Sequence, residues 1–434
     1  MHLERFGRPG HVMIGADSHT STAGALAMLA VGVGGLEAAV GLAGRPFELP
    51  PPTVVGVELT GELPRFVQAK DVILELLRRR GVRGGVGCVF EFRGPGAATL
   101  SVTERATICN MVVETGGTTG VFASDERTRE WLELQERADQ FEPLAADDGA
   151  AYDEDEPIDL GALEPLIALP PSPGDVVPVA EVEGTELSQV CVGSSVNSSY
   201  ADLAIVGAML RDAVVHPDID LTVTPGSRQI LDTIVRSGVY GELVQAGARM
   251  LEPICGPCIG VGQAPAPGRG SLRTFNRNFP GRSGTQGDEV YLCSPATAAA
   301  SALTARITDP RGARLDGSIT PPPARLRIDD RHILPPAPPE EAGSIEMPRS
   351  DNIVPPPEGK PPEEALEGPV LIVVGDDIST GDMAPDGALG MALWGNIPAC
   401  ARFMFRRLDP DFHDRALASD GGFVVGGHNY GQGS

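Results

Sequence analysis

Short apolar segments alternate with amphipathic segments along most of the chain. The apolar segments that predict strands are residues 12–14, 54–59, 86–92, 190–192, 221–223 and 291–293. The segments with apolar residues at helical spacing are residues 71–80, 103–114, 199–211, 228–237 and 296–304. Strands that are apolar on both faces and are followed by helices are typical of parallel sheets with helices on each side. The pattern therefore predicts an α/β fold with more than one sheet.

A glycine-rich stretch at residues 23–42 follows the first predicted strand. It is apolar enough to raise the question of a membrane segment, but it carries Glu37 and is interrupted by glycines. Small residues at this density favour close packing of a helix against its neighbours rather than contact with lipid. We therefore expect a closely packed interior helix here. The chain does not begin with a charged segment followed by an apolar one, so no signal peptide is predicted.

Two changes of composition divide the chain. Residues 145–159 are strongly acidic and predict an exposed loop. Residues 321–369 are crowded with proline and charge, so they predict an extended tether that cannot bury enough apolar surface to fold. Apolar strands resume at residues 370–374 and 423–425, which indicates a second α/β module. Because that module stops in a glycine-rich loop where a helix should follow, and the chain opens almost at once on a strand, we expect a fragment at both ends.

The charge balance and the cysteines limit the classes of function. The 434 residues carry a formal net charge of -25. Such a charge disfavours a nucleic-acid partner or an anionic membrane, because neither gains by releasing counterions to an acidic protein. The seven cysteines are an odd number scattered over a long chain, unlike the disulfide framework of a secreted protein. We therefore expect a cytoplasmic location.

Two cysteines, Cys255 and Cys258, are separated by Gly256 and Pro257. Glycine and proline reverse the chain between them, so that both thiols can face one point in space. That arrangement suits a soft metal ion or an iron-sulfur cluster. Read alone, the spacing also fits a redox dithiol, half of a zinc site or two unrelated cysteines.

Other polar residues lie where ligands collect in α/β folds. Asp17 and His19 follow a strand, and an aspartate beside a histidine is suited to proton transfer, although Asp17 can also cap the next helix. Residues 193–200 follow another strand and are small and polar, which suits either a ligand loop or a helix cap. Arg277 and Arg282 flank a turn and present the planar fork that matches a carboxylate.

Glu91 lies inside an otherwise apolar predicted strand. A carboxylate in such a place needs a partner or a raised pKa. A salt bridge to Arg93 or another cation and a catalytic role explain it equally well.

Taken together, these motifs resemble the aconitase superfamily of iron-sulfur hydro-lyases. The motifs that carry the resemblance are Asp17-Ser18-His19-Thr20, Thr107-Ile108-Cys109-Asn110-Met111, Gly193-Ser194-Ser195-Val196-Asn197-Ser198-Ser199-Tyr200, Cys255-Gly256-Pro257-Cys258, residues 276–282 and Asp376-Asp377-Ile378-Ser379. The resemblance implies three related α/β domains in a core at residues 1–310, incomplete at its amino terminus. It further implies a linker at residues 311–369 and a truncated swivelling α/β domain at residues 370–434.

The resemblance implies a reversible dehydration of a hydroxy polycarboxylic acid, such as citrate to isocitrate through cis-aconitate. Expelling hydroxide needs a Lewis acid, which in this family is the iron of a 4Fe-4S cluster that has no cysteine ligand. By this resemblance, Cys255 and Cys258 would be ligands of the cluster.

The same residue-by-residue match implies catalytic roles. Asp17 and His19 would belong to the proton-transfer network, and Glu91 would hold a catalytic histidine or the iron-bound water. Ser434 would be the base that removes the carbon-bound proton. Because the arginine expected after it is absent, a chain ending there is expected to be inactive by itself.

Substrate contacts are implied in the same way. Ser18 and Asn276 would contact the substrate or the cluster, and Arg277 and Arg282 would bind carboxylates. Asp376 would sit at the cleft between the core and the swivelling domain.

Two positions depart from the family pattern. Ser195 stands where the third ligand of the cluster is normally a cysteine. A serine oxygen is harder and less acidic than a thiolate, so we expect a labile cluster or none. Trp394 stands where single-chain aconitases carry a substrate-binding arginine, which suggests a substrate less charged on that side than citrate, or reduced activity.

Alternative functions follow from these departures. One is a related dehydratase for an isopropylmalate, homocitrate or methylcitrate type of acid, although core and swivelling domain in one chain resemble aconitases more than the split isopropylmalate enzymes. Another is a paralogue without a cluster that binds an organic acid, or RNA, without catalysis. The expected partner is a small hydroxy polycarboxylic acid, and the expected state is a monomer without membrane contact.

Overall fold

The structure is a computed structural model that describes most of the 434 residues. The residues outside the description are 286, 314–317, 347, 348, 360, 362, 377, 379, 385–389, 391, 392, 420, 429 and 432–434. The chain divides into two compact units, Met1–Ile328 and Asp329–Ser434.

The first unit begins with a small parallel sheet. Its elements are β1 (Val12–Gly15), a 3-10 helix (Ser18–Leu26), β2 (Leu29–Gly32) and α1 (Gly35–Leu42). The strands β1 and β2 pair in parallel along their whole length. The interior helix predicted at residues 23–42 is therefore wrong, because the stretch divides into parts of three elements. The last of these is solvated, since Leu42 is 91% exposed.

A four-stranded parallel sheet follows. Its strands are β3 (Thr53–Thr60), β4 (Cys88–Arg93), β5 (Thr119–Phe122) and β6 (Glu154–Asp159), in the order β5-β4-β3-β6. The helices of this part are α2 (Ala69–Arg80), α3 (Pro95–Thr99), α4 (Val102–Val112) and α5 (Glu126–Leu134). The exposed acidic loop predicted at residues 145–159 is wrong over its last part, because β6 pairs with β3 and buries Ile158.

The two faces of β4 have different surroundings. Phe90 and Phe92 are buried in the core that also contains Ile108 and Val112 of α4. Side chains alternate along a strand, so Glu91 between the two phenylalanines points to the opposite face.

The 3-10 helix packs tightly against α4 and β5. The Ser21 hydroxyl donates to the carbonyl of Cys109 at 2.8 Å. A Cβ atom at Gly24 would lie 1.8 Å from the carbonyl oxygen of Gly120, so only glycine permits this approach. The close contact fixes the first turn of the 3-10 helix, which carries His19, next to α4.

A larger sheet completes the first unit. Its strands are β7 (Leu166–Ala168), β8 (Val176–Pro178), β9 (Gln189–Gly193), β10 (Asp220–Thr224), β11 (Arg249–Met250), β12 (Gly270–Arg273) and β13 (Glu289–Cys293), in the order β11-β10-β9-β12-β13-β7-β8. Its helices are α6 (Tyr200–Leu210), α7 (Arg228–Ser237), α8 (Val239–Ala246) and α9 (Pro295–Thr304). The strands β9 to β13 are parallel to one another, whereas β7 pairs antiparallel with both β13 and β8. Because parallel strands end at the same edge, the loops after β9 and β12 come together there.

Asp71 links the two larger sheets. Its carboxylate accepts hydrogen bonds from the amides of Leu166 and Gln68 at 2.9 and 2.8 Å and from the hydroxyl of Ser294 at 2.8 Å. Burial raises the pKa of Asp71 to about 6. These contacts join the start of α2 to β7 and to the residue that precedes α9.

The second unit is a small α/β module with an irregular first part. Its elements are α10 (Pro339–Ala342), β14 (Val370–Val373), α11 (Thr380–Met383), α12 (Ile397–Ala401), α13 (Phe412–Ala418) and β15 (Phe423–Val425). The predicted strands near residues 370 and 423 are confirmed, and they pair in parallel. Ile378, Phe405 and Phe412 form the core, in which the two phenyl rings meet edge to face with centroids 4.9 Å apart.

The architecture is mixed α/β with parallel sheets, as predicted, and the described strands form no closed barrel. Among the described residues, every helix is too short or too polar to span a membrane.

Candidate active site

Three ionisable side chains from separate segments meet inside the first unit. His19 Nε2 lies 2.9 Å from Glu114 Oε1, and Arg277 Nε donates to the same oxygen at 2.8 Å. The side chains are 11%, 3% and 14% exposed, respectively. His19 follows β1, Glu114 follows α4 and Arg277 follows β12. We call His19, Glu114 and Arg277 the ion-pair row.

Glu114 is held as a carboxylate within the ion-pair row. Burial acts to raise its pKa, but attraction to Arg277 and then the hydrogen bond from His19 outweigh burial, so the pKa is lowered overall. An ionised carboxylate only accepts hydrogen bonds, which places a proton on Nε2 of the histidine. The other ring nitrogen, Nδ1, then faces the hydroxyl of Ser18 at 3.1 Å.

Two buried asparagines tie the neighbouring loops together. The side-chain amide of Asn276 donates to Asn110 Oδ1 and to Ser195 Oγ, each at 3.1 Å. Asn110 in turn donates to the hydroxyl of Thr22 at 3.0 Å and to the carbonyl of Ser195 at 3.3 Å. Both asparagines are buried, whereas Ser195 is exposed. The loops after β9 and β12 are thus bonded to each other directly. Asn110 of α4 bonds to both of them and to the 3-10 helix that follows β1.

The two cysteines of the C-x-x-C motif lie side by side. Their sulfur atoms are 3.0 Å apart, and Cys255 is exposed whereas Cys258 is buried. The pKa of Cys258 is lowered, first because Cys255 donates to its sulfur and further because the Arg282 guanidinium is near. The same hydrogen bond raises the pKa of Cys255. The pair can therefore offer a thiolate.

Arg282 has a donor without an acceptor. Its Nε atom is buried and has no hydrogen-bond partner among the described residues. Its charge acts on both Cys255 and Cys258, and the carboxylate of Asp17 also acts on Cys255. A buried unpaired donor is costly unless a ligand supplies the acceptor, and a guanidinium group is suited to a carboxylate.

Asp17 and Ser18 lie at the outer edge of this group. The Asp17 side chain is 66% exposed and accepts from the His19 amide at 2.6 Å, so it caps the 3-10 helix. Ser18 is bonded to the histidine ring, as described above. The structure thus brings together Asp17, Ser18, His19, Ser195, Cys255, Cys258, Asn276, Arg277 and Arg282.

Glu91, predicted to hold a catalytic histidine or the iron-bound water, lies within β4, and among the described residues the contacts of the His19 side chain and amide do not include it. Glu91 lies close to Tyr152: burial, and then the negative charge of Glu91, raise the pKa of the Tyr152 hydroxyl. Both residues line a cavity of about 370 Å³ that is also lined by Phe92 and Arg93 of β4 and by Phe122 of β5. Glu91 does not face α4, because side chains alternate along β4 and its neighbours Phe90 and Phe92 are the ones that pack with α4. The carboxylate that holds His19 is Glu114.

Asp376 belongs to the second unit. Its Oδ1 atom accepts from the amide of His428 at 2.7 Å, which closes the loop after β14 onto the loop after β15. Ser434, predicted as the base, lies outside the described residues.

Sequence reasoning missed Glu114 and gave no role to Asn110. The signal for Glu114 was present, because it is a carboxylate directly after the apolar run Met111-Val112-Val113, which is the argument applied to Glu91. Asn110 lies one turn earlier in α4, where a buried amide also needs partners. Glu114 could have been preferred to Glu91 on position, because Glu114 lies at the end of a predicted helix, near the loops that collect ligands, whereas Glu91 lies in the middle of a predicted strand.

Comparisons with known proteins show the family to which the chain belongs. The aconitase family (aconitate hydratase) matches residues 1–305, so the chain belongs to the aconitase family. Among its relatives is the 3-isopropylmalate dehydratase large subunit 1 of Methanopyrus kandleri, 42% identical over 70% of this chain and 73% of that protein. The 3-isopropylmalate dehydratase large subunit 2 of Archaeoglobus fulgidus is 40% identical over 71% and 74%. The probable methanogen homoaconitase large subunit of Methanothermobacter thermautotrophicus is 38% identical over 70% and 72%.

The fold and relatives therefore define a hydro-lyase of the aconitase superfamily. Proteins of this family generally carry a 4Fe-4S cluster. The donors present here fit such a cluster at two positions, since Cys255 and Cys258 are adjacent and one of them has a lowered pKa. The described residues contain no group of three or more His, Cys, Asp or Glu side chains suited to a metal ion. Ser195, which stands at the position of the family's third cysteine, offers an oxygen in this part of the site.

Proposed function

We propose that the protein removes water from, and returns it to, a small hydroxy dicarboxylic acid of the 3-isopropylmalate type. The observation that carries the proposal is the ion-pair row, because it combines an oriented histidine with a cation at the loops that also carry the thiol pair. The relatives named for 3-isopropylmalate support this acid over citrate, the first expectation from the sequence.

Two guanidinium groups would bind the carboxylates of the substrate. Arg282 offers its buried Nε, which has no acceptor among the described residues. Arg277 is fixed by Glu114, so its orientation does not have to be selected when the acid binds. Fixed donors of this kind favour binding because less side-chain freedom is lost.

His19 and Ser18 would handle the proton at the leaving hydroxyl group. Because Glu114 holds Nε2, the ring can exchange a proton only through Nδ1, which faces Ser18 Oγ at 3.1 Å. Asp17 holds the backbone at the start of the same turn. A histidine positioned by a carboxylate is a common general acid or base. Ser434 remains the proposed base for the carbon-bound proton, on the family resemblance alone.

Cys255 and Cys258 would hold the iron-sulfur cluster, with Ser195 as a third and harder donor. When bound, the cluster supplies a Lewis acid that weakens the bond between carbon and the hydroxyl group. Asn276 bonds to Ser195 Oγ and so fixes the side chain that would have to approach the cluster.

Ser195 also supports a second candidate function. An exposed serine in place of a thiolate is consistent with a protein that binds a hydroxy acid without a cluster and without turnover. Binding by Arg277 and Arg282 would persist in that case, whereas dehydration would not.

The relatives named above are large subunits, which implies that those proteins work with a second subunit. We propose that residues 370–434 supply the corresponding swivelling module in this chain. The monomeric state expected from the sequence stays a prediction.

The family resemblance, which aligns Trp394 with a substrate-binding arginine of single-chain aconitases, favours a dicarboxylate. Trp394 lies in the second unit and is 59% exposed. 3-Isopropylmalate has two carboxylates and an apolar branch, whereas citrate has a third carboxylate. An indole ring suits the apolar branch and an arginine suits the third carboxylate.

Replacing Trp394 with arginine should therefore shift specificity toward citrate. We expect the ratio of kcat/KM for citrate to that for 3-isopropylmalate to rise by about tenfold in the full-length protein, the usual effect of one changed pocket contact. Trp394→Ala is the control, because it removes the ring without adding a cation. Equal ratios in Trp394→Arg and Trp394→Ala, or a wild type that prefers citrate, would contradict the proposed substrate class.

A further inference from the structure

Lys70 is a fully buried cation outside the set of residues assigned so far. It lies in the first turn of α2 and is 0% exposed. Lysine is almost never buried to this extent, because removing an ammonium group from water is costly. Its position adds a second cost, since a cation near the amino terminus of a helix opposes the helix dipole.

The ammonium group is held by peptide carbonyls. Its Nζ donates to the carbonyl of Thr274 at 2.8 Å and to the carbonyl of Phe275. None of the ion pairs among the described residues includes Lys70. Burial lowers the pKa of Lys70 to about 7, against the attraction of Cys293, Asp71 and other acidic groups. Apolar packing alone does not explain why a lysine is kept here.

The carbonyls that Lys70 binds precede two residues of the candidate site. Strand β12 ends at Arg273, and Thr274 is still tied to β9, because its amide donates to the Cys191 carbonyl at 3.0 Å and its hydroxyl accepts from the Gly193 amide at 2.9 Å. Phe275 follows outside the strand. Asn276 then bonds to Ser195 and Asn110, and Arg277 bonds to Glu114. The backbone that Lys70 holds is therefore the base from which both side chains extend.

We propose that Lys70 is a positioning residue: it holds the backbone from which the side chains of Asn276 and Arg277 leave. The contribution of Lys70 to substrate recognition rests on the proposed function, whereas its hydrogen bonding to the backbone does not. Small displacements of a binding group cost much of its effect, because the fit depends on distances of a few tenths of an ångström.

Lys70→Met is the informative substitution, because methionine fills similar space but has no donor. Leu74→Ala is the matched control: Leu74 is also fully buried on α2, and its truncation weakens packing without touching residues 274–275. Both variants of the full-length protein would be compared under denaturant conditions that equalise the population of the unfolded state.

Two measurements separate positioning from general weakening. Hydrogen exchange of residues 274–279 should be faster by about tenfold or more in Lys70→Met than in Leu74→Ala. Affinity for isopropylsuccinate, which has the two carboxylates but no hydroxyl group to lose, should fall by about tenfold or more in Lys70→Met only. Lys70→Gln, which keeps a neutral donor, should lie between wild type and Lys70→Met in both measurements.

The outcomes are distinguishable. Equal exchange and equal affinity in Lys70→Met and Leu74→Ala would overturn the inference. A wild type that does not bind isopropylsuccinate would count against the proposed function, and the exchange measurement would still decide whether Lys70 holds the backbone. If Lys70→Met does not fold, the same comparison between Lys70→Gln and Leu74→Ala decides the matter.

Discussion

Glu114→Gln is expected to lower kcat/KM for dehydration by about a thousandfold, within the range for loss of an acid-base group and its electrostatic partner. The glutamine keeps the shape of the side chain but has no charge. Without a negative charge it cannot balance Arg277, and its amide oxygen is a weaker acceptor for His19 Nε2 and Arg277 Nε than the carboxylate oxygen that both contact in the wild type. The decisive measurement is steady-state kinetics of the full-length protein, together with its unfolding curve.

Glu130→Gln is the control for this prediction, because Glu130 is an exposed carboxylate with a side chain 55% accessible to solvent. It should leave both kinetics and stability unchanged. A fully active Glu114→Gln protein would show that the ion-pair row has no part in the reaction. A Glu91→Gln protein should keep most of its activity, since the carboxylate that contacts both His19 and Arg277 is Glu114 and Glu91 lies next to Tyr152 instead.

The same substitution should change how stability depends on pH. The pKa of Glu114 is lower in the folded protein than its ordinary value of 4.5. The stabilisation from its ionisation is therefore complete above about pH 4.5 and is lost as the pH falls through the lowered folded-state value. Glu114→Gln lacks this contribution, so its unfolding free energy should depend less on pH in acid than that of the wild type.

Ser195→Cys is expected to give the second large effect, a gain in the retention of iron and sulfide. After anaerobic reconstitution, the variant should lose iron to a chelator at least about tenfold more slowly than the wild type, because a third thiolate replaces a harder and less acidic oxygen. Its sulfur-to-iron charge-transfer band in the visible spectrum should be correspondingly stronger. Iron and acid-labile sulfide per chain are the primary measurements, and they do not depend on turnover.

Ser198→Cys provides the matched control, because it adds one thiol to the same loop at a buried position. It should not improve iron retention. If Ser195→Cys behaves like Ser198→Cys, the position of Ser195 as a third donor is contradicted. If the wild type already holds a full and stable cluster, the expectation of a labile one is contradicted instead.

Much of the fold could be predicted because buried strands and half-buried helices have recognisable patterns of apolar residues. The strands β9, β10 and β13 are apolar on both faces and are followed by amphipathic helices, so their pattern has one simple interpretation. Residues 23–42 have no such pattern: glycine and alanine are compatible with a helix, a strand or a turn. Their structure depends on contacts such as that of Gly24 with Gly120, which lie far apart in the sequence.

In the candidate site, too, some residues could be placed from local sequence and others could not. Residues in short ordered motifs, such as Cys255, Cys258 and Arg282, could be placed together before the structure. Glu91 and Glu114 are both carboxylates in apolar surroundings, and local sequence does not decide between them. The decision comes from the direction of the side chain, which depends on the pairing of β4 and on the end of α4. Lys70 was overlooked because its partners are carbonyl groups about two hundred residues away.

We propose that these residues form the site of a hydro-lyase that depends on the thiol pair. The most direct test is the rate at which the reconstituted full-length protein forms the unsaturated acid from 3-isopropylmalate, compared with the double variant Cys255→Ser, Cys258→Ser. We expect measurable turnover in the wild type and a rate at least about a hundredfold lower in the double variant, because the Lewis acid is lost. Equal rates in the two proteins, or no turnover by the wild type after iron and sulfide have been supplied, would contradict the account.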